Sequence, residues 1–292
     1  MKNPTNNTTT NRGPVLVLGG TGKTGRRIVQ RLTGLGIATR VGARSADPAF
    51  DWNDPGTWAR AVDGVEAVYI SYAPDLAVPG ATGSIREFVD LAVANGVRRL
   101  VLLSGRGEEE AQRCERIVQD SGLKWTVVRA SWFAQNFSEG EFLPMVRNGA
   151  VTLPAGDIPE PFVDADDIAD VAVAALTEDG HHAQVYELTG PRCLTLAEAV
   201  AEIAEAAGRK IEYIPIPHEA FTSEIAKSGA PDDIAWLLDY LFSTVLDGRN
   251  AQVCDGVQRA LGREPTDFSE FARKAAASGV WDVAAVDKTT AA

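Results

Sequence analysis

The chain has 292 residues, of which 45% are hydrophobic, as in a globular protein with a sizeable core. That length suits one large α/β domain, or one domain with a smaller appendage. The formal net charge of -12 argues against nucleic acid or an anionic membrane surface as the main partner. No apolar run reaches the roughly 18 residues that a membrane-spanning helix needs.

The start of the chain and its cysteines indicate where the protein works. Residues 1–13 are polar and lack the apolar core of a secretory signal, so we expect a disordered tail there. Cys114, Cys193 and Cys254 are odd in number, far apart and without nearby histidine pairs. This pattern favours reduced thiols over a disulfide framework or a zinc site, so we expect a cytoplasmic protein without a metal centre.

A strand, a glycine turn and a helix follow one another at residues 15–32. Gly19, Gly22 and Gly25 lie three apart, directly after an apolar run. The first allows a tight turn, the second lets the backbone approach a pyrophosphate, and the third lets the helix lie close to the strand. The helix N-terminus offers unpaired N–H groups to phosphates. The cofactor-binding residues predicted here are Gly19, Thr21, Gly22, Lys23 and Thr24.

Two alternatives exist for this turn. The run Gly22-Lys23-Thr24 could end a nucleotide-triphosphate loop, but the first glycine of that motif would fall on Val17, inside the strand. A glycine-rich turn without any ligand is the other alternative. The position between a strand and a helix favours dinucleotide binding.

The end of the second predicted strand, 37–41, bears on the choice of cofactor. NAD-dependent enzymes usually place an acid about 20 residues past the glycines, where it accepts a hydrogen bond from the ribose 2′-hydroxyl. This chain has Arg44 and Ser45 there instead. A guanidinium and a hydroxyl suit a 2′-phosphate, so the sequence predicts NADP(H) in preference to NAD(H). The alternative is a solvated surface arginine.

Further site residues are predicted where the next strands end. Strands are expected at 65–71, 100–104 and 125–129, and in a doubly wound parallel sheet ligands bind at the carboxyl ends of the strands. Tyr72 is a candidate for the nicotinamide pocket. The cofactor-binding residues predicted at these ends are Ser71, Tyr72, Ala73, Ser104, Gly105, Ala130, Trp132 and Phe133.

The usual acid–base pair of short-chain dehydrogenases is missing. In those enzymes a serine at the end of this strand works with a Tyr-x-x-x-Lys motif on the next helix, where the tyrosine donates a proton. Ser104 is in place, but the expected helix at 108–120 contains neither tyrosine nor lysine. Any chemistry therefore proceeds without that pair. The catalytic residues predicted here are Tyr72, Ser104, Trp132 and Asn136.

An aromatic cluster follows the strand at 125–129. In this fold such a cluster lies beside the cofactor, although it could equally be a hydrophobic cover between two parts of the protein. Asp164 begins a helical run to Leu176, so capping is the alternative to a binding role for Asp164 and Asp167. The predicted substrate-binding residues are Trp132, Phe133, Asn136, Phe137, Phe162 and Asp164.

Most of the chain after Thr195 has helical spacing. Thr195 and Glu198 form a capping-box pattern, and a last strand is expected at 211–216. We therefore expect an α/β fold with a doubly wound parallel sheet and a smaller C-terminal α/β part. The expected boundaries are a nucleotide-binding domain at 14–150 with 162–188 returning to it, a substrate-binding part at 151–161 and 189–279, and a disordered tail at 280–292.

Four stretches resemble the NmrA-like proteins, which are atypical short-chain dehydrogenase/reductases. They are Gly-Gly-Thr-Gly-Lys-Thr-Gly at 19–25, Val-Arg-Ala-Ser-Trp-Phe-Ala-Gln-Asn-Phe at 128–137, Pro-Phe-Val-Asp-Ala-Asp-Asp-Ile-Ala at 161–169 and Gly-Arg-Glu-Pro-Thr-Asp-Phe at 262–268. The chain is most similar to the ergot-alkaloid branch of festuclavine and agroclavine dehydrogenases. One departure is Ala130, where the family usually has proline.

The resemblance implies a Rossmann domain that binds NADP(H) and a smaller part that closes over a small-molecule substrate. In the ergot branch the implied reaction is reduction of an iminium, and a cationic C=N accepts hydride without a proton donor. The first hypothesis is therefore an NADPH-dependent reductase of an iminium, quinone or enone, with a homodimer possible. The alternatives are a non-catalytic NADP(H)-sensing regulator, as some NmrA-like proteins are, and an isomerase or epoxide-opening enzyme.

Overall fold

The structure, a computed structural model, describes residues 13–283. The strands are β1 Val15–Leu18, β2 Thr39–Gly42, β3 Ala67–Ile70, β4 Arg99–Gly105, β5 Lys124–Ala130, β6 Ala150–Leu153, β7 Gln184–Leu188 and β8 Glu212–Pro215. The α-helices are α1 Gly25–Gly34, α2 Trp58–Val62, α3 Ala81–Ala94, α4 Glu109–Gln119, α5 Asn136–Glu139, α6 Leu143–Asn148, α7 Ala165–Thr177, α8 Leu196–Ala207, α9 His218–Ser228, α10 Asp232–Tyr240, α11 Gly256–Leu261 and α12 Phe268–Ala277.

Six strands form one parallel sheet in the order β2-β1-β3-β4-β5-β7. Because β2 and β3 flank β1 on opposite sides, the connections diverge there and open a crevice at the carboxyl ends of β1 and β3. The remaining strands, β6 and β8, pair in parallel in a second sheet. The predicted α/β fold with a doubly wound parallel sheet is confirmed.

Helices cover both faces of the main sheet because alternate strand residues point to opposite sides. Leu16, Val68 and Leu100 pack under α2, α3 and α4, whereas Val17 and Val101 pack under α1 and α7. The central strands are therefore buried on both faces, which explains their nearly continuous apolar sequences.

The second sheet has a core of its own, built on aromatic rings. Phe137 lies 5.3 Å from Phe142, 5.8 Å from Phe162 and 5.8 Å from Phe268, measured between ring centroids. Helices α8 and α12 pack against each other over this cluster. The chain passes between the two sheets more than once, since α7 and β7 belong to the main sheet while the flanking β6 and α8 belong to the second.

Several local predictions are confirmed, and others differ at element ends. Thr195 and Glu198 form the predicted capping box at α8. The helix expected at 233–246 is α10 followed by a π-helical turn at Leu241–Val245. The short helices α5 and α6 were not predicted. No helix among residues 13–283 is long and apolar enough to cross a membrane.

The predicted tail at 280–292 is wrong for its first residues. Trp281 is 1% exposed, its ring lies 6.2 Å from that of Phe271, and its indole N–H donates to the Phe137 carbonyl at 2.9 Å. Arg147 also donates to the Val280 carbonyl. Val280 and Trp281 therefore complete the core of the second sheet. The other predicted tail residues, 1–12 and 284–292, lie outside the described residues.

We predict that Trp281→Ala lowers the free energy of unfolding by about 3–5 kcal/mol, because it leaves a cavity and removes a buried hydrogen bond. Val283→Ala is the control, since that side chain is exposed and its truncation should change stability by less than about 0.5 kcal/mol. Urea denaturation of both variants measures the difference. Equal stability of the two variants would contradict the assignment of Trp281 to the core.

Candidate cofactor and substrate site

The glycine turn leaves an open depression at the N-terminus of α1. We call this depression, formed by residues 19–25, the phosphate cradle. Gly19 has φ of +64°, which favours glycine, and a Cβ on Gly25 would overlap the Gly19 carbonyl oxygen. Thr21 and Gly22 are exposed. The first turn of α1 has no acidic residue and no side-chain cap, so its N–H groups can serve an anion. These features fit the pyrophosphate of a dinucleotide.

Arg44 lies beside this cradle, just past the end of β2. The Gly20 N–H donates to the Gly42 carbonyl at 3.2 Å, which fixes the glycine turn against the end of that strand. Arg44 and Ser45 are exposed, and the Arg44 guanidinium makes no ion pair with any residue in 13–283. A cationic side chain is therefore available where the fold places the adenosine ribose.

Lys23 links the glycine turn to the loop after β5. Its ammonium donates to Asn136 Oδ1 at 2.8 Å, and a Cβ on Gly140 would stand 2.7 Å from Nζ. Burial lowers the pKa of Lys23 from its usual value, although the nearby Glu139 acts in the opposite direction. The structure therefore brings together two predicted site residues, Lys23 and Asn136, that are 113 positions apart.

The end of β3 also borders the cradle. A Cβ on Gly19 would stand 3.2 Å from Ser71 Cβ, so Ser71 faces the glycine turn. The Trp52 indole donates to the Ser71 carbonyl at 3.0 Å, and its ring lies 4.9 Å from that of Tyr72. Tyr72 is half-buried and Ala73 is exposed. Trp52 was not predicted as a site residue, and only its position soon after the second strand could have suggested it.

The prediction that Ser104 is a catalytic hydroxyl is wrong. Ser104 is 4% exposed and donates to Glu115 Oε1 at 2.6 Å. Glu115 is paired with Arg129, which also binds Glu187 at 2.6 Å. Ser104 belongs to this buried polar network because its side chain points towards α4. The hydrogen bond to Glu115 raises the pKa of Arg129 further above its usual value, so the cation stays charged.

The side chain of Thr24, predicted to bind the cofactor, also has a structural role. Its hydroxyl is buried and accepts a hydrogen bond of 2.9 Å from Tyr69, whose pKa is raised by burial. The side chain of Thr24 therefore fastens α1 to β3. Only its backbone belongs to the phosphate cradle.

The predicted substrate residues fall into two groups. Trp132 and Phe133 are half-buried, and the Trp132 ring lies 5.2 Å from Phe242 and 6.3 Å from Phe142. Phe137 and Phe162 are 0% and 3% exposed inside the second core, so their assignment to a substrate pocket is wrong.

Asp164 is likewise structural. It is 4% exposed, caps α7 by accepting from the Asp166 N–H at 2.8 Å, and accepts from Gln135 Nε2 at 2.7 Å. Asp164 therefore caps α7, as the alternative interpretation predicted, and its side chain does not line a substrate pocket. Asp167 also has a structural partner, because it pairs with Arg263 at 2.7 Å.

Two buried acids were not predicted from the sequence. Glu108 is 6% exposed just before α4, and a Cβ on Gly105 would overlap its carboxyl group. Glu160 is 2% exposed, and burial raises its pKa to about 7 against the opposing effect of Arg106. Each has one carboxylate oxygen that accepts no hydrogen bond from an N–H or hydroxyl group in the described part of the chain. The only signal in the sequence was an acid shortly after the glycine that ends β4.

Comparisons with known proteins agree with this geometry. A family model described as NAD(P)H-binding matches residues 19–179. The oxidoreductase YesF of Bacillus subtilis (strain 168) is 33% identical over an alignment of 277 positions that covers 91% of this chain and 96% of YesF. Agroclavine dehydrogenase of Claviceps fusiformis is 30% identical over 88% of this chain and 95% of its own length. The NADPH complex of the Escherichia coli quinone oxidoreductase QOR2 superposes with a TM-score of 0.74 at 22% identity, over 89% of this chain and 99% of QOR2.

The match covers more than half of the chain and spans the glycine turn, the arginine after β2 and the ends of β3, β4 and β5. The relatives are matched over nearly their full length, so the similarity includes both sheets. The chain belongs to the NAD(P)H-binding family, as an NmrA-like, atypical short-chain dehydrogenase/reductase.

Proposed function

We propose that the protein is an NADPH-dependent reductase of a small, activated acceptor: an iminium, a quinone or an enone. The observation that carries this proposal is the open glycine cradle with the exposed Arg44 beside it, which pairs with no acid among the described residues. A guanidinium can bind a 2′-phosphate through two hydrogen bonds, whereas a carboxylate at that position would repel it. The bound cofactor would supply a hydride from its nicotinamide ring.

The residues around the cradle have distinct tasks in this proposal. The turn at 19–25 and the N-terminus of α1 bind the pyrophosphate, and Arg44 with Ser45 binds the 2′-phosphate. Tyr72, Gly105 and Ala130 border the nicotinamide end at the carboxyl edge of the sheet. Trp132 and Phe133 form an apolar wall that orients the acceptor and excludes water. Asn136 holds Lys23 in place beside the phosphates.

The choice of acceptors follows from the missing tyrosine and lysine and from what the relatives reduce. The helix α4 offers no tyrosine to protonate an alkoxide, so the acceptor must be activated already. Among similar proteins are an NAD(P)H azoreductase of Xenophilus azovorans, the agroclavine dehydrogenase and the NADPH-dependent quinone oxidoreductase. The names of the azoreductase and the quinone oxidoreductase imply reduction of an azo group and of a quinone, both of which are electron-poor, conjugated acceptors.

We predict that Arg44→Ala weakens NADPH binding by roughly 10- to 100-fold and leaves NADH binding nearly unchanged, because only the 2′-phosphate loses its partner. Fluorescence titration of wild type and variant with NADPH, NADP⁺, NADH and NAD⁺ measures this. Arg60→Ala is the control, since Arg60 is exposed and pairs only weakly with Asp47 at 3.7 Å. A wild type that binds NADH as tightly as NADPH would contradict the cofactor preference.

We predict that Trp132→Ala raises KM for the acceptor at least about 10-fold, because a half-buried aromatic wall is lost from the acceptor pocket. Trp125→Ala is the matched control, since Trp125 is also half-buried but lies near the amino end of β5. NADPH oxidation with a panel of iminium, quinone and enone acceptors gives the kinetic constants. Unchanged kinetics in Trp132→Ala would remove Trp132 from the pocket.

The same panel separates the reductase from a regulator. A regulator binds the reduced and oxidised cofactors with different affinities and turns over no acceptor. Wild-type protein that binds NADPH but oxidises it with none of the acceptors would therefore favour the sensing function and contradict the proposed one.

A further inference from the structure

Glu108 is a buried acid at the carboxyl edge of the main sheet, and it has no task in the binding roles above. It lies three residues after the end of β4 and is 6% exposed. Its carboxyl group occupies the space that a side chain on Gly105 would fill. Because Gly105 has no side chain, it leaves room for the Glu108 carboxyl. The two residues meet at the edge where the fold binds ligands.

The Glu108 carboxyl lies at the carboxyl end of β4, against the backbone of Gly105. Residue 108 directly precedes α4. Glu115 of α4 and Tyr240 of α10 are among the groups near its carboxyl.

The carboxyl group of Glu108 contacts that of Asp75. Oε2 of Glu108 is buried and has no N–H or hydroxyl donor among residues 13–283, but the Glu108 and Asp75 side chains are hydrogen-bonded to each other. A hydrogen bond between two carboxyl groups needs a proton on one of them. The pair therefore holds one proton at the carboxyl edge of the sheet.

The surroundings of Glu108 keep a proton on it. Burial raises the pKa of Glu108 well above its usual range, and the negative charge of Asp75, on the loop after β3, raises it further. Glu115 of α4 acts in the same direction, and Tyr240 of α10 also lies near. The nearest cation on the loop before α11 is Arg249, which contacts the Gly107 carbonyl at 3.5 Å. No cationic side chain in the described range pairs with Glu108.

We propose that Glu108 donates the proton in the reduction, with Asp75 as its positioning residue, and that the acceptor is a neutral conjugated carbonyl compound, a quinone or an enone. This inference rests on the proposed function and narrows its substrate class. An iminium ends neutral after it receives hydride, so a proton donor would be idle. An enone or quinone ends as an anion on oxygen, which a buried acid stabilises by protonation.

The atoms and electrons balance for an enone. The acceptor gains a hydride at its β-carbon from the reduced nicotinamide, and the π electrons move to the carbonyl oxygen. That oxygen takes the proton of Glu108, so the O–H bond of the acid breaks as the O–H bond of the enol forms. The Glu108 carboxylate beside Asp75 is then reprotonated from water. The enol then tautomerises to the ketone as a proton leaves oxygen and another binds the α-carbon. The sum is one enone, one NADPH and one proton giving one saturated ketone and one NADP⁺.

The first test needs neither cofactor nor acceptor. Infrared difference spectroscopy of the free protein should show carbonyl absorption of protonated carboxylic acids at pH 7. Glu160 contributes to it because its pKa is about 7, and Glu108→Gln should remove a separate carbonyl band that belongs to Glu108. Glu109→Gln is the matched control, because it is the same change on the adjacent, exposed residue. Carbonyl absorption that Glu108→Gln leaves unchanged, or none in the wild type, would overturn the proposal.

The second test uses Asp75→Asn, which keeps an oxygen to accept from the Ala77 N–H. Removing the negative charge of Asp75 lowers the pKa of Glu108, so the carbonyl band of Glu108 should titrate at lower pH than in the wild type. If Glu108 must be protonated, the fall of kcat at high pH should move to lower pH by the same amount. A band or a kcat profile that does not move would overturn the proposal.

The third test compares acceptors. Glu108→Gln should lower kcat by roughly 10²- to 10⁴-fold with menadione or an enone and change it little with a permanently charged N-methyl iminium salt. Circular dichroism and NADPH titration check that the variant folds and binds cofactor. Wild-type kcat for menadione and the enone in Glu108→Gln would overturn the proton-donor role and leave the reductase intact. A wild type that turns over no acceptor would overturn both proposals.

Discussion

The structure depends on the close approach of α1 to the turn that follows β1. A side chain on Gly25 would overlap the Gly19 carbonyl, and one on Gly20 would stand 2.9 Å from the Val17 carbonyl. Only glycines allow this contact, and it sets where the helix begins. The buried hydrogen bond from Tyr69 to Thr24 then fixes the helix to β3. The phosphate cradle is rigid because the packing beneath it leaves the turn no alternative backbone conformation.

A second constraint is the set of paired charges around the buried Glu115, at the carboxyl edge of β4, β5 and β7. Arg129 lies between Glu115 and Glu187, and Ser104 completes the group through its hydroxyl. Glu115 is 2% exposed, so removing Arg129 would leave a buried charge unpaired, a change that typically costs about 3–5 kcal/mol. Ser104, which the sequence predicts as a catalytic residue, is therefore engaged in holding the strands together. Chemistry at this edge has to come from other groups, and Glu108, buried beside Asp75, is the proposed one.

The second sheet is joined to the first by contacts between α1 and the segment that follows β5. Lys23 reaches Asn136, and the Arg27 guanidinium binds Glu139 at 2.6 Å, so α1 holds the segment that leads into the second sheet. Arg27 and Arg31 also pair with Asp166 at the start of α7. These contacts join the helix that begins at the cofactor cradle to the wall that carries Trp132. The cofactor cradle and the proposed acceptor pocket are thus linked through one helix.

The sequence by itself determined the glycine turn, the arginine in place of an acid after β2, the helix caps and the lack of a tyrosine and a lysine on α4. All of these depend on residues that are close in the chain, where spacing and backbone conformation fix the outcome. The tertiary structure decided which side chains reach the site, because partners such as Ser104 and Glu115, or Phe137 and Phe268, meet only when helices pack on strands. It also placed Trp281 in a core. Burial opposite a distant partner is a property of packing, and a local pattern of residues does not contain it.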